Sequence, residues 1–174
     1  ADGRELYFVS DRPGGRGGYD IWYSRLEQTT WSKAGNLGPS INTPFDEISP
    51  YIHVNNQTLY MVSNGYRGFG GYDIYLAEKK EGGWVAPVNL GKPLNDHHDQ
   101  YSFIVASDGA TAYYSKEESK SKSRLFKIQL PATLVTNNKG NVLKGKVTDA
   151  KKGTPLKVRI ELFDIQRNQR ISAV

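Results

Sequence analysis

A block of 53 residues occurs twice in succession in this sequence. Residues 6–10 (LYFVS) recur at 59–63 (LYMVS), and residues 17–22 (GGYDIW) recur at 70–75 (GGYDIY). Position 6 corresponds to 59 and position 19 to 72, so the spacing is 53 residues throughout, without a gap. Self-similarity at this period indicates that each copy is one supersecondary unit and that neighbouring copies stack to bury a shared core.

A third, degenerate copy follows the first two. Asp108 and Tyr113 keep the 53-residue spacing, and residues 125–126 (LF) stand where 74–75 (IY) predict after a two-residue deletion. Lys116 takes the place of a serine in this copy. The deletion falls in a lysine- and serine-rich loop, so we expect the third unit to keep the strands of the others.

Each copy predicts four short strands, which in the middle copy are residues 48–53, 59–63, 72–78 and 84–89. Apolar and polar residues alternate in them, Gly, Asn and Asp turns bound them, and no segment has helical periodicity. Four strands per repeat are typical of a β-propeller blade. The sequence therefore predicts an all-β chain whose residues 1–130 supply fewer than three blades of a ring, with six expected in the full ring. Either further blades lie upstream or two or more chains complete the ring.

The tail predicts a second β domain. Residues 131–142 are expected to be a linker, and residues 143–174 to begin the new domain. Two segments, 143–149 and 156–164, predict a hairpin with one buried face. That face would consist of alternate apolar residues: Leu156, Val158, Ile160 and Leu162. A hairpin alone is marginal in water, so more of this domain is expected.

Composition excludes several kinds of site. The chain has no cysteine, which excludes disulfides and thiolate metal sites. The net charge is +5, but the basic residues are spread out, and the one dense stretch, residues 116–124, contains two glutamates. We therefore interpret this stretch as a solvated loop and predict no nucleic-acid partner. No apolar run approaches the roughly 20 residues of a membrane span, and no signal-peptide pattern is present.

The residues of the repeat and the tail resemble known families. Segments 6–12 (LYFVSDR) and 19–22 (YDIW) are similar to the TolB-like, WD40-like propeller repeat called PD40. Segments 145–149 (GKVTD) and 153–156 (GTPL) resemble the start of a carboxypeptidase regulatory-like domain, a transthyretin-like β-sandwich. The two in this order resemble OmpA-family envelope proteins of the Bacteroidetes, including type IX secretion components. The resemblance implies a periplasmic, outer-membrane-associated protein, possible lipid anchoring upstream, and peptidoglycan binding only through a domain absent from these residues.

Two glycine-rich loops, 13–18 and 65–71, invite a phosphate-binding interpretation. A phosphate cradle needs a helix N-terminus after the loop, whereas strands are predicted here, so structural turns are favoured. The loops nevertheless carry residue types that anchor protein interfaces. The predicted contact rim consists of Arg12, Arg16, Tyr66, Arg67 and Phe69.

Repeated acids favour structure over chemistry. Asp20 and Asp73 occupy the same repeat position, which predicts that each accepts backbone hydrogen bonds at its turn. Asp46 and Glu47 could form a glycosidase carboxylate pair, but no sialidase-type Asp box accompanies them. No Gly-x-Ser-x-Gly elbow, and no set of nucleophile, base and orienting group, is present. We predict no catalytic residue and no cofactor.

The adjacent histidines are candidate metal ligands. His97, His98 and Asp99 have suitable side chains, but neighbours on a strand point to opposite faces, and the first copy offers Pro44 and Phe45 instead. No metal site is therefore predicted, and the isolated His53 is expected to be structural.

Two functions follow from these observations. The favoured one is a non-catalytic scaffold that binds other envelope or secretion-system proteins. The alternative is a carbohydrate-binding or glycan-processing propeller, in which Trp22, Trp31 and Trp84 would have to line a pocket. All three obey the repeat, and a pocket should break it, so packing roles are favoured for them.

Overall fold

The chain divides into two compact units, Ala1–Gly140 and Asn141–Val174. A computed structural model describes residues 3–106, 108–119, 122–131, 134, 146–159, 161–164 and 169–173. These residues form strands, turns and loops, with no helix among them. The prediction of an all-β chain is thus confirmed. Within the described residues there is also no helix long and apolar enough to cross a bilayer.

The first unit contains twelve of the described strands. In chain order they are β1 (Glu5–Ser10), β2 (Asp20–Glu27), β3 (Thr30–Trp31), β4 (Gly35–Asn36), β5 (Glu47–Ile52), β6 (Thr58–Ser63), β7 (Asp73–Lys80), β8 (Gly83–Trp84), β9 (Val88–Asn89), β10 (Gln100–Val105), β11 (Thr111–Ser119) and β12 (Lys122–Gln129).

Three antiparallel sheets follow one another along the chain, each built from sequence-adjacent strands. Sheet 1 contains β1–β4, sheet 2 contains β5–β9 and sheet 3 contains β10–β12. In sheet 2 the order is β5-β6-β7-β8, with β9 also paired to β7. Sheet 1 repeats this order without the first strand, and sheet 3 repeats it without the last, over the described residues.

The strand register tests the alignment of the third copy. In sheet 2 Met61 pairs with Tyr75, and in sheet 3 Tyr114 pairs with Phe126. Tyr114 follows Met61 by one repeat, so Phe126 occupies the place of Tyr75. The predicted two-residue deletion is confirmed, and it leaves the pairing of the second and third strands intact.

The prediction of one continuous fourth strand at 84–89 is wrong. Two short strands, β8 and β9, pair with β7 instead. Trp84 lies opposite Lys79 and Val88 lies opposite Leu76, so four steps along the outer chain match three along β7. This is a β-bulge, and sheet 1 has the same offset between β3 and β4.

The cores lie between successive sheets, because each sheet buries apolar residues against the next. The junction of sheets 1 and 2 is filled by Ile21, Ile41, Leu59, Met61, Tyr75 and Ala77. The junction of sheets 2 and 3 is filled by Tyr60, Val62, Ile74, Leu90, Leu94, Phe103, Val105, Ala112, Tyr114 and Leu130. Here Tyr60 and Phe103 have ring centroids 4.9 Å apart. The stacking of neighbouring sheets thus buries their apolar faces.

A buried asparagine forms hydrogen bonds with the backbone of β2 in sheet 1, and another does the same with β7 in sheet 2. The Asn95 side chain is fully buried; its Oδ1 accepts a hydrogen bond from the Ile74 N–H and its Nδ2 donates to the Ile74 carbonyl, both at 2.8 Å. Asn42 makes the same pair of bonds to Ile21 at 2.9 Å. Each amide therefore satisfies two backbone groups that lie inside the core.

The second unit contains a turn and a hairpin. Thr148 bridges Pro155 across a turn in which Asp149 Oδ1 accepts backbone hydrogen bonds from Lys151 and Lys152. The predicted turn is thus present.

The predicted strand 156–164 is only partly formed. Strand β13 (Glu161–Asp164) pairs forward with β14 (Gln169–Ala173), a hairpin that the sequence did not predict. Leu156 and Val158 are exposed, so the buried face predicted for them is wrong. Short strands of this kind have too little neighbouring sheet to cover a face. Residues 143–145, Ile160 and the Leu162 side chain lie outside the described residues, as does the predicted linker 131–142 apart from Pro131 and Leu134.

Removing the Asn95 amide should destabilise the first unit strongly. Asn95→Ala leaves the Ile74 N–H and carbonyl buried without partners, and we expect a loss of about 3 kcal/mol in the free energy of unfolding. Urea denaturation followed by tryptophan fluorescence measures this, since all three tryptophans lie in the first unit. Lys33→Ala, at an exposed position, is the matched control and should change stability by less than about 0.5 kcal/mol. A loss below about 1 kcal/mol for Asn95→Ala would contradict the role given to the amide.

Candidate functional site

Aspartate side chains close the two glycine-rich loops. Asp20 Oδ2 accepts a hydrogen bond from the Arg16 N–H at 2.5 Å, and Asp20 Oδ1 accepts one from Gly17 at 3.2 Å. In the next copy Asp73 Oδ2 accepts from the Phe69 N–H at 2.5 Å. The predicted turn-fixing role of Asp20 and Asp73 is confirmed, and a strand rather than a helix follows each loop.

The loops are glycine-rich because they press against the segment that enters the next sheet. A Cβ on Gly17 would overlap the carbonyl oxygen of Phe45, and a Cβ on Gly70 would overlap that of His98. The Gly18 N–H donates to the Phe45 carbonyl at 3.0 Å. Close backbone approach thus explains these glycines.

A second aspartate position fastens each loop to the following sheet. Asp46 Oδ1 accepts from the Tyr19 N–H and Asp46 Oδ2 from the Tyr72 hydroxyl, both at 2.8 Å. The backbone hydrogen bond from Tyr19 is the main cause that lowers the pKa of Asp46, and the Tyr72 hydroxyl adds to it against the opposing effect of burial. In the next copy Asp99 accepts from the Tyr72 N–H at 2.9 Å.

The carboxylate next to Asp46 is also occupied. Glu47 is fully buried and accepts hydrogen bonds from the Thr43 hydroxyl at 2.7 Å and the Ser63 hydroxyl at 2.8 Å. Burial raises the pKa of Glu47, and these hydrogen bonds partly offset the rise. Asp46 and Glu47 therefore hold backbone and neighbouring side chains in place.

Two residues of the predicted rim bind consecutive carbonyls of one segment. Arg16 Nε donates to the Asn42 carbonyl at 3.1 Å, and the Tyr66 hydroxyl donates to the Ile41 carbonyl at 2.8 Å. Arg16 belongs to the first loop and Tyr66 to the second, so residues 41–42 bring the two loops together. The remaining face of the Tyr66 ring packs on Tyr75 at 5.3 Å.

Arg12 lies over its own sheet. Its guanidinium carbon is 4.8 Å from the Phe8 ring centroid and 5.3 Å from that of Trp22, and its Nε donates to Ser10 Oγ at 3.0 Å. These cation–π contacts fold the side chain onto β1 and β2. Arg12 therefore borders the rim as part of sheet 1.

The other two predicted residues project into solvent. Arg67 is exposed and makes no hydrogen bond or ion pair within the described part of the chain. Phe69 is 51% exposed although aromatic. Asp73 binds the backbone N–H groups of Phe69 and Gly70 in the same loop, so that part of the loop is fixed.

Phe45 and Tyr19 extend this surface, and sequence reasoning missed both. Phe45 is 58% exposed and lies beside the second loop, since a Cβ on Gly65 would contact the Phe45 Cβ. Tyr19 is exposed next to it. An aromatic residue between Pro44 and Asp46 was the available signal, but only the docking of the loops places it on the rim.

The histidine pair does not point to opposite faces, contrary to the expectation. The ring centroids of His97 and His98 are 3.9 Å apart, because the segment is a bend and not a strand. Asp96, not Asp99, joins them: its Oδ1 lies 3.0 Å from His98 Nδ1, and the possible ligand atoms of the three residues all lie within 4.8 Å of one another. The other carboxylate oxygen of Asp96 accepts from Lys116 Nζ at 2.8 Å.

Lys116 competes with any cation for Asp96. Burial alone would raise the pKa of Asp96, but hydrogen bonds from Lys116 and His98 outweigh it and hold the pKa well below the usual range. The ammonium group compensates the carboxylate charge and so weakens the attraction of Asp96 for a divalent cation. The isolated His53 is buried, and burial lowers its pKa.

The Asp96 cluster replaces another polar cluster at the same repeat positions. Thr43, Glu47 and Ser63 of the second sheet's entry correspond to Asp96, Gln100 and Lys116 in the third. The carboxylate of the cluster is thus at Asp96, four residues earlier in the repeat than Glu47, and Lys116 takes the position of Ser63.

No protein-family model matches the chain, and no curated protein matches it.

The hydrogen bonds that Asp46 accepts from Tyr19 and Tyr72 should make the stability of the first unit depend on pH. Because hydrogen bonds lower the pKa of Asp46 in the folded state, its stabilising effect is complete above its ordinary pKa of 3.8 and is lost as pH falls through the folded value. Asp46→Asn should therefore unfold more easily at neutral pH, by about 1–2 kcal/mol, and the gap should close as pH falls below the ordinary pKa of 3.8 and through the lower folded value. Thermal unfolding across this range measures the gap. Asp11→Asn, at an exposed position, is the control; a gap that stays constant with pH would contradict the assignment.

Proposed function

We propose that the first unit is part of a β-propeller and that it serves as a non-catalytic scaffold binding other proteins. Three successive sheets with one strand order and one register support the propeller, since a blade is a four-stranded antiparallel sheet repeated around an axis. A ring of six blades, as expected from the repeat, is part of this proposal.

The packing of the repeated tryptophan supports further blades. Trp84 of sheet 2 packs its ring edge-on against Tyr7 of the preceding sheet, with centroids 6.1 Å apart. Trp31 occupies the same position in sheet 1 and is 48% exposed. A blade on that side would cover Trp31 as sheet 1 covers Trp84.

The fixed, exposed rim is the observation that carries the scaffold role. Arg67, Phe69 and Phe45 project from loops in which Asp73 binds the Phe69 N–H and Thr43 Oγ1 binds the Phe45 N–H. Rigid loops that present arginine and aromatic side chains suit a protein interface, because little conformational freedom is lost on binding.

The chemistry of the acids agrees with a non-catalytic role. Asp20, Asp73, Asp46 and Glu47 all accept hydrogen bonds from the backbone or from hydroxyl groups. A carboxylate engaged in this way stabilises the fold, whereas a general acid or base needs access to a substrate proton.

The cellular setting remains part of the proposal. The resemblance of the repeat and the tail to OmpA-family envelope proteins implies a periplasmic position at the outer membrane, with other envelope or secretion-system proteins as partners. The second unit would then be the start of a regulatory-like β-sandwich. Cross-linking in native envelopes with the intact protein as bait tests this setting, since recovered outer-membrane proteins would identify the partners.

The alternative pocket lined by three tryptophans has little support. Trp22 is buried and donates to the Ser10 carbonyl at 3.2 Å, and Trp31 and Trp84 belong to different sheets. Trp84 lines a cavity at the junction of sheets 1 and 2, in which neither Trp22 nor Trp31 takes part.

Reversing the charge of Arg67 should weaken partner binding without loss of stability. Arg67→Glu removes an exposed cation that has no described intramolecular partner, so the melting temperature should stay within about 1 °C. Affinity for the cross-linked partner, measured by surface plasmon resonance, should fall about tenfold or more, as expected for a central interface arginine.

Lys33→Glu is the matched control, because it reverses an exposed cation that follows β3, and β3 pairs with the end of β2 opposite the first glycine-rich loop. Equal affinities for wild type and Arg67→Glu would remove the rim from consideration. A similar loss in both variants would instead indicate nonspecific charge attraction.

A further inference from the structure

A cavity of about 310 Å³ opens at the junction of sheets 1 and 2. Tyr7, Tyr23 and Trp84 supply aromatic surface, and Arg25, Lys79 and Ser40 supply polar groups. The volume lies at the lower end of the range of small-molecule sites, and the mixture of aromatic walls with a few polar groups is typical of them.

The cavity breaks the repeat. At the junction of sheets 2 and 3 the positions of Tyr23 and Lys79 are taken by Leu76 and Leu130. Both leucines pack into the apolar core there, together with Tyr60, which is 1% exposed and corresponds to Tyr7. The same place in the fold is therefore a closed core at one junction and an open, polar cavity at the other.

The aromatic walls are arranged at fixed angles around this opening. Tyr7 lies edge-on to Trp84, with centroids 6.1 Å apart, and 6.5 Å from Tyr23. Arg25 lies 5.3 Å over the Tyr23 ring and Lys79 lies 5.7 Å over Trp84. Each cation is thus held beside an aromatic face.

One carboxylate positions both cations. Glu5 accepts hydrogen bonds from Arg25 Nε at 3.0 Å, Lys79 Nζ at 3.4 Å and the Tyr7 hydroxyl at 2.6 Å. A neighbouring depression shares Arg25 and Lys79 and adds Arg4. Arg25 and Lys79 thus share one acid, which leaves an excess of positive charge at the mouth of the cavity.

Two hydroxyl groups of the cavity have no hydrogen-bond partner within the described residues. These are the Tyr23 hydroxyl and Ser40 Oγ. A bound molecule with its own hydroxyl groups can pair with both.

We propose that this cavity binds a carboxylate-bearing saccharide of one or two sugar units. The apolar face of the sugar ring would pack on Trp84 and Tyr7, and its hydroxyl groups would pair with Tyr23 and Ser40. Because Glu5 takes Nε of Arg25 and one N–H of Lys79, the ligand carboxylate would accept hydrogen bonds from the Nη groups of Arg25 and the other N–H groups of Lys79. The proposal does not depend on the scaffold role, although the Ser40 carbonyl accepts a hydrogen bond from the rim residue Tyr66.

Isothermal titration of the whole chain with digalacturonic acid tests the proposal. We expect saturable binding to one site per chain, weakened by raising salt from 50 to 500 mM, roughly as for other exposed charge pairs. A neutral galactose disaccharide should bind at least about tenfold more weakly, because it lacks the charged hydrogen bonds. An acetylated aspartyl-phenylalanine amide probes an acidic peptide at the same site.

Three variants place the binding in the cavity. Arg25→Gln and Lys79→Gln should each lower the affinity about tenfold, and Tyr23→Phe should lower it severalfold by removing one hydroxyl. Lys80→Gln, which neutralises the next residue of β7 outside the cavity, should leave it unchanged. Thermal unfolding of each variant, unchanged within about 2 °C, separates lost binding from lost folding.

Four results would overturn the proposal, three of them from the titrations of the wild-type chain. These three are no saturable binding of digalacturonic acid up to about 10 mM, equal affinity for the neutral disaccharide, and tighter binding of the acidic dipeptide. An affinity that falls as much in Lys80→Gln as in Arg25→Gln would also overturn it, since the charge effect would then be nonspecific.

Discussion

The amide of one asparagine per repeat connects the parts of the fold that the sheet hydrogen bonds leave separate. Asn42 pairs with both backbone groups of Ile21, and its Nδ2 also donates to Asn36 Oδ1 at 2.8 Å. It thereby continues the edge of sheet 1 beyond β4 and fixes the chain just before it enters sheet 2. Ile41 beside it is fully buried between the two sheets. The position of each sheet relative to the next thus depends on a polar contact inside an apolar junction, where an unpaired amide or peptide group would be costly.

The repeat made most of the first unit predictable, because a spacing without gaps carries strand register as well as strand location. Phe126 could be assigned to the position of Tyr75 from sequence, and the pairing with Tyr114 agrees. The bulge between β8 and β9 could not be predicted in this way, since an extra residue opposite β7 has no residue-type signature. In the tail, alternation at Leu156 and Val158 predicted burial, but alternation gives only a possible face and not the layer that would cover it.

The candidate rim shows where residue types suffice and where geometry is needed. Arginine and tyrosine were chosen for their frequency at interfaces, yet Arg16 and Tyr66 bind the carbonyls of residues 41–42 and hold the loops together. Phe45 lies far from both loops in sequence and reaches the rim only because the segment that enters sheet 2 docks on them. The histidine pair was likewise judged from strand geometry, which a bend does not obey.

A repeat distinguishes residues that stabilise the fold from residues that serve another purpose, because positions that hold the backbone must be filled equivalently in each copy. Asp20 and Asp73, and Asn42 and Asn95, meet this requirement. Substitutions between copies that leave these hydrogen bonds intact are not explained by the needs of the fold. At the entry to sheet 3 a carboxylate and a lysine replace a threonine and a serine and pair with each other, while Gln100, in the place of Glu47, leaves its buried Oε1 without a partner among the described residues. At the junction of sheets 1 and 2 polar side chains occupy the places of the leucines that close the core at the next junction. An open junction buries less apolar area and therefore stabilises the fold less. The fold does not require this opening, since the junction of sheets 2 and 3 is closed. Such a cost is best explained by a ligand that occupies the opening.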